Sequence, residues 1–151
     1  MASEALLAML REAEGWRSKP YLCPAAKWTI GYGSTGPDIT EDSPEITKEQ
    51  GEALLVAEVE RVEKKILSLC PMLIGEPQAR IDAMIDFGYN MGTNRVKATT
   101  LEKRIAAKDW LGAAAQLRRW VYATVDGKAQ KLPGLVKRRE KAAKWMAEGV
   151  H

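Results

Sequence analysis

Glu14, Cys23 and Thr29 stand nine and six residues apart and bracket the run Glu14-Gly15-Trp16-Arg17 … Trp28-Thr29-Ile30-Gly31-Tyr32-Gly33. An acid, a soft base and a hydroxyl on consecutive short elements are the equipment for protonating a glycosidic oxygen and aiming a water at the anomeric carbon. Each alone has an ordinary reading: Glu14 pairs with Arg17 or Lys19, Cys23 fills a small core gap, Thr29 is a strand residue. Their joint occurrence is what points to chemistry.

The elements that must position them are readable in outline. Residues 4–14 read as a short helix behind a Ser3 cap, with Leu7, Leu10 and Glu14 on one face and Gly15 as its stop. The acid then ends an apolar stripe, where burial disfavours the carboxylate and suits it to act as a proton donor. From Pro20 to Ile39, Trp28, Ile30 and Tyr32 alternate with Thr29, Gly31 and Gly33, so residues 16–40 read as a small β-sheet region. Thr47-Lys48-Glu49-Gln50 is a capping box. It opens a helix of about 22 residues that reaches Cys70-Pro71, roughly 33 Å at the usual rise. Helices recur at about 77–91, 99–107 (Thr99 and Glu102 forming a second capping box), 109–121 and 134–148. The expected fold is α+β and predominantly helical: one domain over 1–151, with a small β lobe at about 16–46 joined by the long helix to an all-helical lobe at about 70–148. A cleft is expected between the lobes.

At 151 residues with 46% apolar and 28% charged side chains, the chain is long enough to bury a core without disulfides. Cys23 and Cys70 therefore read as free thiols. An acid near the N-terminus where a signal peptide would be basic, and no apolar run long enough to span a bilayer, place the chain in the cytoplasm that made it. Residues 1–94 carry 9 basic against 15 acidic side chains, a net −6, and residues 95–151 carry 14 against 5, a net +9. A basic half suits an anionic polymer, either nucleic acid or a bacterial envelope.

The triad segment resembles, at matching spacing, the active-site segment of the phage-type lysozymes of glycoside hydrolase family 24, whose pattern is Glu, eight residues, Asp or Cys, five residues, Thr. Phe87-Gly88-Tyr89-Asn90-Met91-Gly92, Arg119-Trp120-Val121-Tyr122 and Leu132-Pro133-Gly134-Leu135-Val136-Lys137-Arg138-Arg139-Glu140 extend the likeness over about residues 4–145. The resemblance implies a lysozyme-like fold and a muramidase that hydrolyses the β-1,4 bond between N-acetylmuramic acid and N-acetylglucosamine with inversion. It implies an endolysin, lysing the host cell by acting on peptidoglycan. Glu14 would be the acid and Thr29 the water-holder, while Cys23, where most relatives have aspartate, would be base, water-positioner or nucleophile. Tyr32, Ser34, Asn90 and Arg138 match positions near the family's cleft and are expected to bind substrate; Ser34 stands where many relatives have histidine. No cofactor, metal, nucleic-acid partner or membrane anchor is expected. The expected protein is a monomer that reaches the wall through a separate holin.

Other patterns fail on their own terms. Gly31-Tyr32-Gly33-Ser34-Thr35-Gly36 has dinucleotide-fingerprint spacing, but Pro37-Asp38 follows and no helix opens to receive phosphates. One histidine, His151, and two cysteines make neither a cysteine protease nor a zinc site. A catalytically dead wall-binding module would be marked by loss of Glu14 or Thr29, and a lytic transglycosylase has no use for a water-holder.

Overall fold

In the computed structural model, which describes residues 1–151, helix α1 covers Glu4–Glu14. Its buried stripe is Leu6, Met9 and Leu10, while Leu7 is only half-buried. The buried face thus differs from the expected Leu7, Leu10 and Glu14 stripe, with Leu6 and Met9 buried where Leu7 was expected. Arg11 ties the helix down: its Nη1 donates to Glu4 Oε1 at 2.7 Å and its Nε to Glu52 Oε2 at 2.8 Å. Gly15, at φ +70°, donates its N–H to the Arg11 carbonyl at 2.9 Å and ends the helix directly after Glu14.

Strands β1 (Arg17–Leu22), β2 (Trp28–Gly31) and β3 (Ser34–Thr35) form an antiparallel sheet in that order. Tyr21 opposes Thr29, Leu22 opposes Trp28, and Arg17 opposes Gly31, so β1 bulges between Arg17 and Tyr21. Helix α2 (Lys48–Leu69) starts at the predicted capping box: the Thr47 N–H donates to Gln50 Oε1 at 2.8 Å and the Gln50 N–H to Thr47 Oγ1 at 3.1 Å. Trp16 lies flat against Gly51, where any Cβ would run into the indole ring. These elements make one compact unit, Glu4–Arg61.

The second unit holds Val62–His151 with Met1–Ser3. Helices α3 (Gln78–Met91), α4 (Thr100–Ala106), α5 (Trp110–Leu117) and α6 (Pro133–Glu148) supply its core, in which Met84, Ile85, Phe87, Leu101, Ile105, Leu117, Ala142 and Met146 are essentially inaccessible. Thr99 caps α4 by accepting the Glu102 N–H at 3.1 Å. The expectation of an all-helical lobe fails at one place. Helix α5 stops at Leu117, and Tyr122–Val125 (β4) pairs with Lys128–Lys131 (β5) as an antiparallel hairpin. Its turn is Asp126-Gly127, at φ +52° and +75°, the two left-handed residues of a type I′ turn. The Asp-Gly pair between alternating residues is a hairpin signal of the chain.

Candidate active site

Glu14 is half-buried at the last residue of α1, and its carboxyl group lies on the backbone of Gly33. A methyl on Gly33 would fall 3.0 Å from the Glu14 carboxyl carbon and 3.2 Å from its Cβ. The Tyr32-Gly33 turn between β2 and β3 therefore closes on the acid, and only glycine leaves the carboxylate room at this positive φ of +77°. Sequence reading saw Gly33 as a bare strand position; the contact with Glu14, 19 positions earlier, exists only in the folded chain.

Cys23 opens the turn between β1 and β2. Its N–H donates to the Lys27 carbonyl at 3.0 Å and its carbonyl accepts from the Ala26 N–H at 2.8 Å, with Ala26 in the left-handed region at φ +58°. This tight loop turns backbone donors toward the sulfur. The Lys27 amide, then the Thr29 hydroxyl, hold the half-exposed thiol below its ordinary value; partial burial opposes them, and the amides of Ala25 and of Cys23 itself add to the lowering. Thr29 is buried on β2, and its Oγ1 also donates to the Lys27 carbonyl at 2.9 Å. A hydroxyl has one proton, so the contact with the sulfur and the bond to the carbonyl are alternatives. When the proton goes to the carbonyl, the Thr29 lone pairs are left to accept from a water beside Cys23.

The structure thus joins Cys23 to Thr29 and sets Glu14 on the turn that follows the Thr29 strand. Tyr32 packs its ring on Trp16, centroids 4.9 Å apart. Ser34 pairs in register with Ile30 and is buried, and its Oγ has no hydrogen-bond partner.

Asn90 and Arg138, expected near a substrate cleft, also have partners within the protein. In the second unit, Arg138 Nε donates to Asp86 Oδ1 at 2.8 Å, Arg139 Nη1 lies 3.5 Å from Asp86 Oδ2, and Arg139 Nη2 donates to Asn90 Oδ1. Asp86 and Arg139 are both 0% exposed. Burial draws the Arg139 guanidinium below its ordinary value, Asp86 counteracts this, and Arg138 adds to the lowering. Sequence reading missed Asp86 and the depth of Arg139. The available signal was Asp82 and Asp86, four apart in the apolar run of α3, since buried acids require partners.

A model of the phage lysozyme family matches residues 11–142. The endolysin of Acyrthosiphon pisum secondary endosymbiont phage 1 is 36% identical over 138 residues, covering 91% of this chain and 92% of that protein. The SAR-endolysin of Bacteriophage PS119 is 37% identical over 127 residues, 84% and 72% of the two chains. Among solved structures, the endolysin from Escherichia coli O157:H7 phage FAHEc1 superposes with a TM-score of 0.85 at 28% identity, covering 100% of this chain and 96% of that one. The active form of the P1 phage endolysin Lyz superposes at 0.81, also at 28% identity, covering 98% and 85%.

Proposed function

The chain belongs to the phage lysozyme family, and from that premise we propose how its residues divide the work of a muramidase that lyses bacterial peptidoglycan. Glu14 protonates the oxygen leaving the scissile bond between N-acetylmuramic acid and N-acetylglucosamine. Thr29 accepts a hydrogen bond from the attacking water. Cys23 takes the water's second proton, so that the product is inverted at the anomeric carbon. The observation that supports this assignment is the tight Cys23–Lys27 loop, in which Thr29 Oγ1 donates to the Lys27 carbonyl at 2.9 Å and the Lys27 amide faces the Cys23 sulfur. Donors aimed at the sulfur favour the thiolate, and a thiolate is the form in which cysteine accepts a proton. The same donors also suit a thiolate nucleophile, which would give a retained product through a glycosyl-cysteine.

In this reading residues 1–151 act as one monomeric domain. The protein gathers in the host cytoplasm and passes to the wall through a lesion made by a separate holin. No helix of the structure is long and apolar enough to cross a membrane. In the same reading Tyr32, Ser34, Asn90 and Arg138 contact the saccharide, while Arg138 and Asn90 also hold Asp86 and Arg139.

The test is digestion of purified Gram-negative peptidoglycan by wild type and Glu14→Gln, with the new sugar ends identified by mass spectrometry and their anomeric configuration by NMR. Reducing muramic ends, α at first formation and absent with the variant, are expected. Anhydro ends would refute hydrolysis, and β ends would move Cys23 from base to nucleophile.

A further inference from the structure

Helix α6 has two unlike faces. One buries Arg139, Ala142, Ala143, Trp145 and Met146. The other carries Lys137, Lys141 and Lys144 at i, i+4 and i+7, all exposed. With Lys131 at the end of β5, these lysines rim a groove of about 690 Å³ that also takes in Pro133 and Val136. Glu140 is the one acid in its lining, and it is already occupied by Arg118, whose Nε stands 2.8 Å from Glu140 Oε2. None of the four lysines has a carboxylate within 4.0 Å. Four like charges are therefore grouped with only weak compensation, from Glu140 acting on Lys144 and from the Trp145 ring under Lys141 at 5.7 Å, an arrangement that favours an anion.

The apolar groups among these charges narrow the anion. Tyr122, directly across the hairpin from Lys131, is 58% exposed, and Val136 on the groove is 36% exposed. Hydrated ammonium groups on flexible stems, interleaved with an exposed phenol and aliphatic carbons, match the interface of a bilayer, where aromatic rings sit at headgroup depth and lysines reach the phosphates. Bidentate recognition of a carboxylate would call on arginine instead. We propose that the groove between α6 and the β4–β5 hairpin is a docking surface for the phosphate headgroups of an anionic phospholipid bilayer. The association is peripheral and electrostatic, with no inserted segment. It would concentrate a wall-lysing enzyme at the membrane that separates it from its substrate.

Sedimentation of the full chain with vesicles of phosphatidylcholine, with and without a third of phosphatidylglycerol, tests this. Binding is expected to the anionic vesicles only and to fade as salt shortens the screening length. Each lysine replaced by glutamine should weaken it about fivefold, and all four on the order of several hundredfold. Replacement of all four by arginine should retain it. Because Glu14 is not among the residues lining the groove, Glu14→Gln should bind vesicles like wild type, and the four-glutamine variant should still cleave solubilised peptidoglycan. If that variant melts early, the single Lys141→Gln change and the salt series decide instead. Equal binding to neutral vesicles, unchanged binding after lysine removal, or retention by duplex DNA without any binding to vesicles would overturn the proposal.

Discussion

Placing alanine at Gly33 tests whether the seat of Glu14, and not merely its presence, controls turnover. Two costs can be read from the structure. Gly33 sits at φ +77°, where a residue with a Cβ costs about 1–2 kcal/mol. The new methyl would also lie 3.0 Å from the Glu14 carboxyl carbon, well inside the 3.4–4 Å of ordinary contact. Glu14 must then withdraw by roughly 1 Å to restore normal packing. A displacement of that size in the proposed proton donor costs about 100-fold in kcat, close to 3 kcal/mol in the barrier. The stability loss of about 2–3 kcal/mol corresponds to a Tm lower by roughly 5–10 °C in a chain of this size. Gly31→Ala separates the two effects. Gly31 has a similar φ of +66°, but its methyl would meet Ile46 at 3.3 Å and would not touch Glu14. Steady-state hydrolysis of soluble peptidoglycan fragments, below both melting temperatures, should show kcat collapsing for Gly33→Ala and largely kept for Gly31→Ala. Equal kcat in the two variants would refute the argument that Gly33 seats the acid.

Three further outcomes follow from particular groups. Asp86→Ala leaves the fully buried Arg139 without its counter-charge and should cost about 3–5 kcal/mol, seen as a melting temperature lower by roughly 10 °C or more; a shift under about 3 °C would show that Arg138 and Asn90 do not depend on Asp86. Ser34→Ala removes a buried hydroxyl that makes no hydrogen bond, so thermal unfolding should show it more stable by about 1 kcal/mol, and a lower Tm would mean that the hydroxyl has a partner in solution. Burial raises the Cys70 thiol to about 11 from an ordinary 9.0, and a raised pKa gives stability that is complete below pH 9 and lost as pH climbs toward 11. Wild type should therefore lose more stability across that window than Cys70→Ala, while iodoacetamide near pH 8 should label Cys23 alone, its thiol being held below the ordinary value; preferential labelling of Cys70 would contradict both shifts.

Much of the site was legible because it is local. Glu14 follows from a helix that ends at Gly15, and Thr29 from a strand of alternating bulky and small residues. Cys23 lies in the turn between two strands, close to both in sequence. The capping box at Thr47–Gln50 likewise closes over four residues, and both of its hydrogen bonds form as read. The hairpin at 122–131 is also local, turning at Asp126-Gly127, but it lies between two expected helices and was not read. The pairing of Arg138 with Asp86 and of Asn90 with Arg139 was not legible. A charged residue on a helix looks the same in sequence whether it meets solvent, substrate or a buried aspartate from another helix.

The sequence by itself determined the family, most of the helices and the first sheet, and it offered an acid, a thiol and a hydroxyl as candidates for hydrolysis, since these depend on residue type and on spacings shorter than one supersecondary unit. Tertiary structure alone decided that Gly33 is the seat of Glu14, that Arg139 is buried against Asp86, and that four lysines from β5 and α6 share one groove. The first two are contacts between residues distant along the chain, and the third joins a strand end to the helix that follows it. Burial also sets the energy of the charges, because the same arginine that costs nothing in water must be paired once the core closes around it.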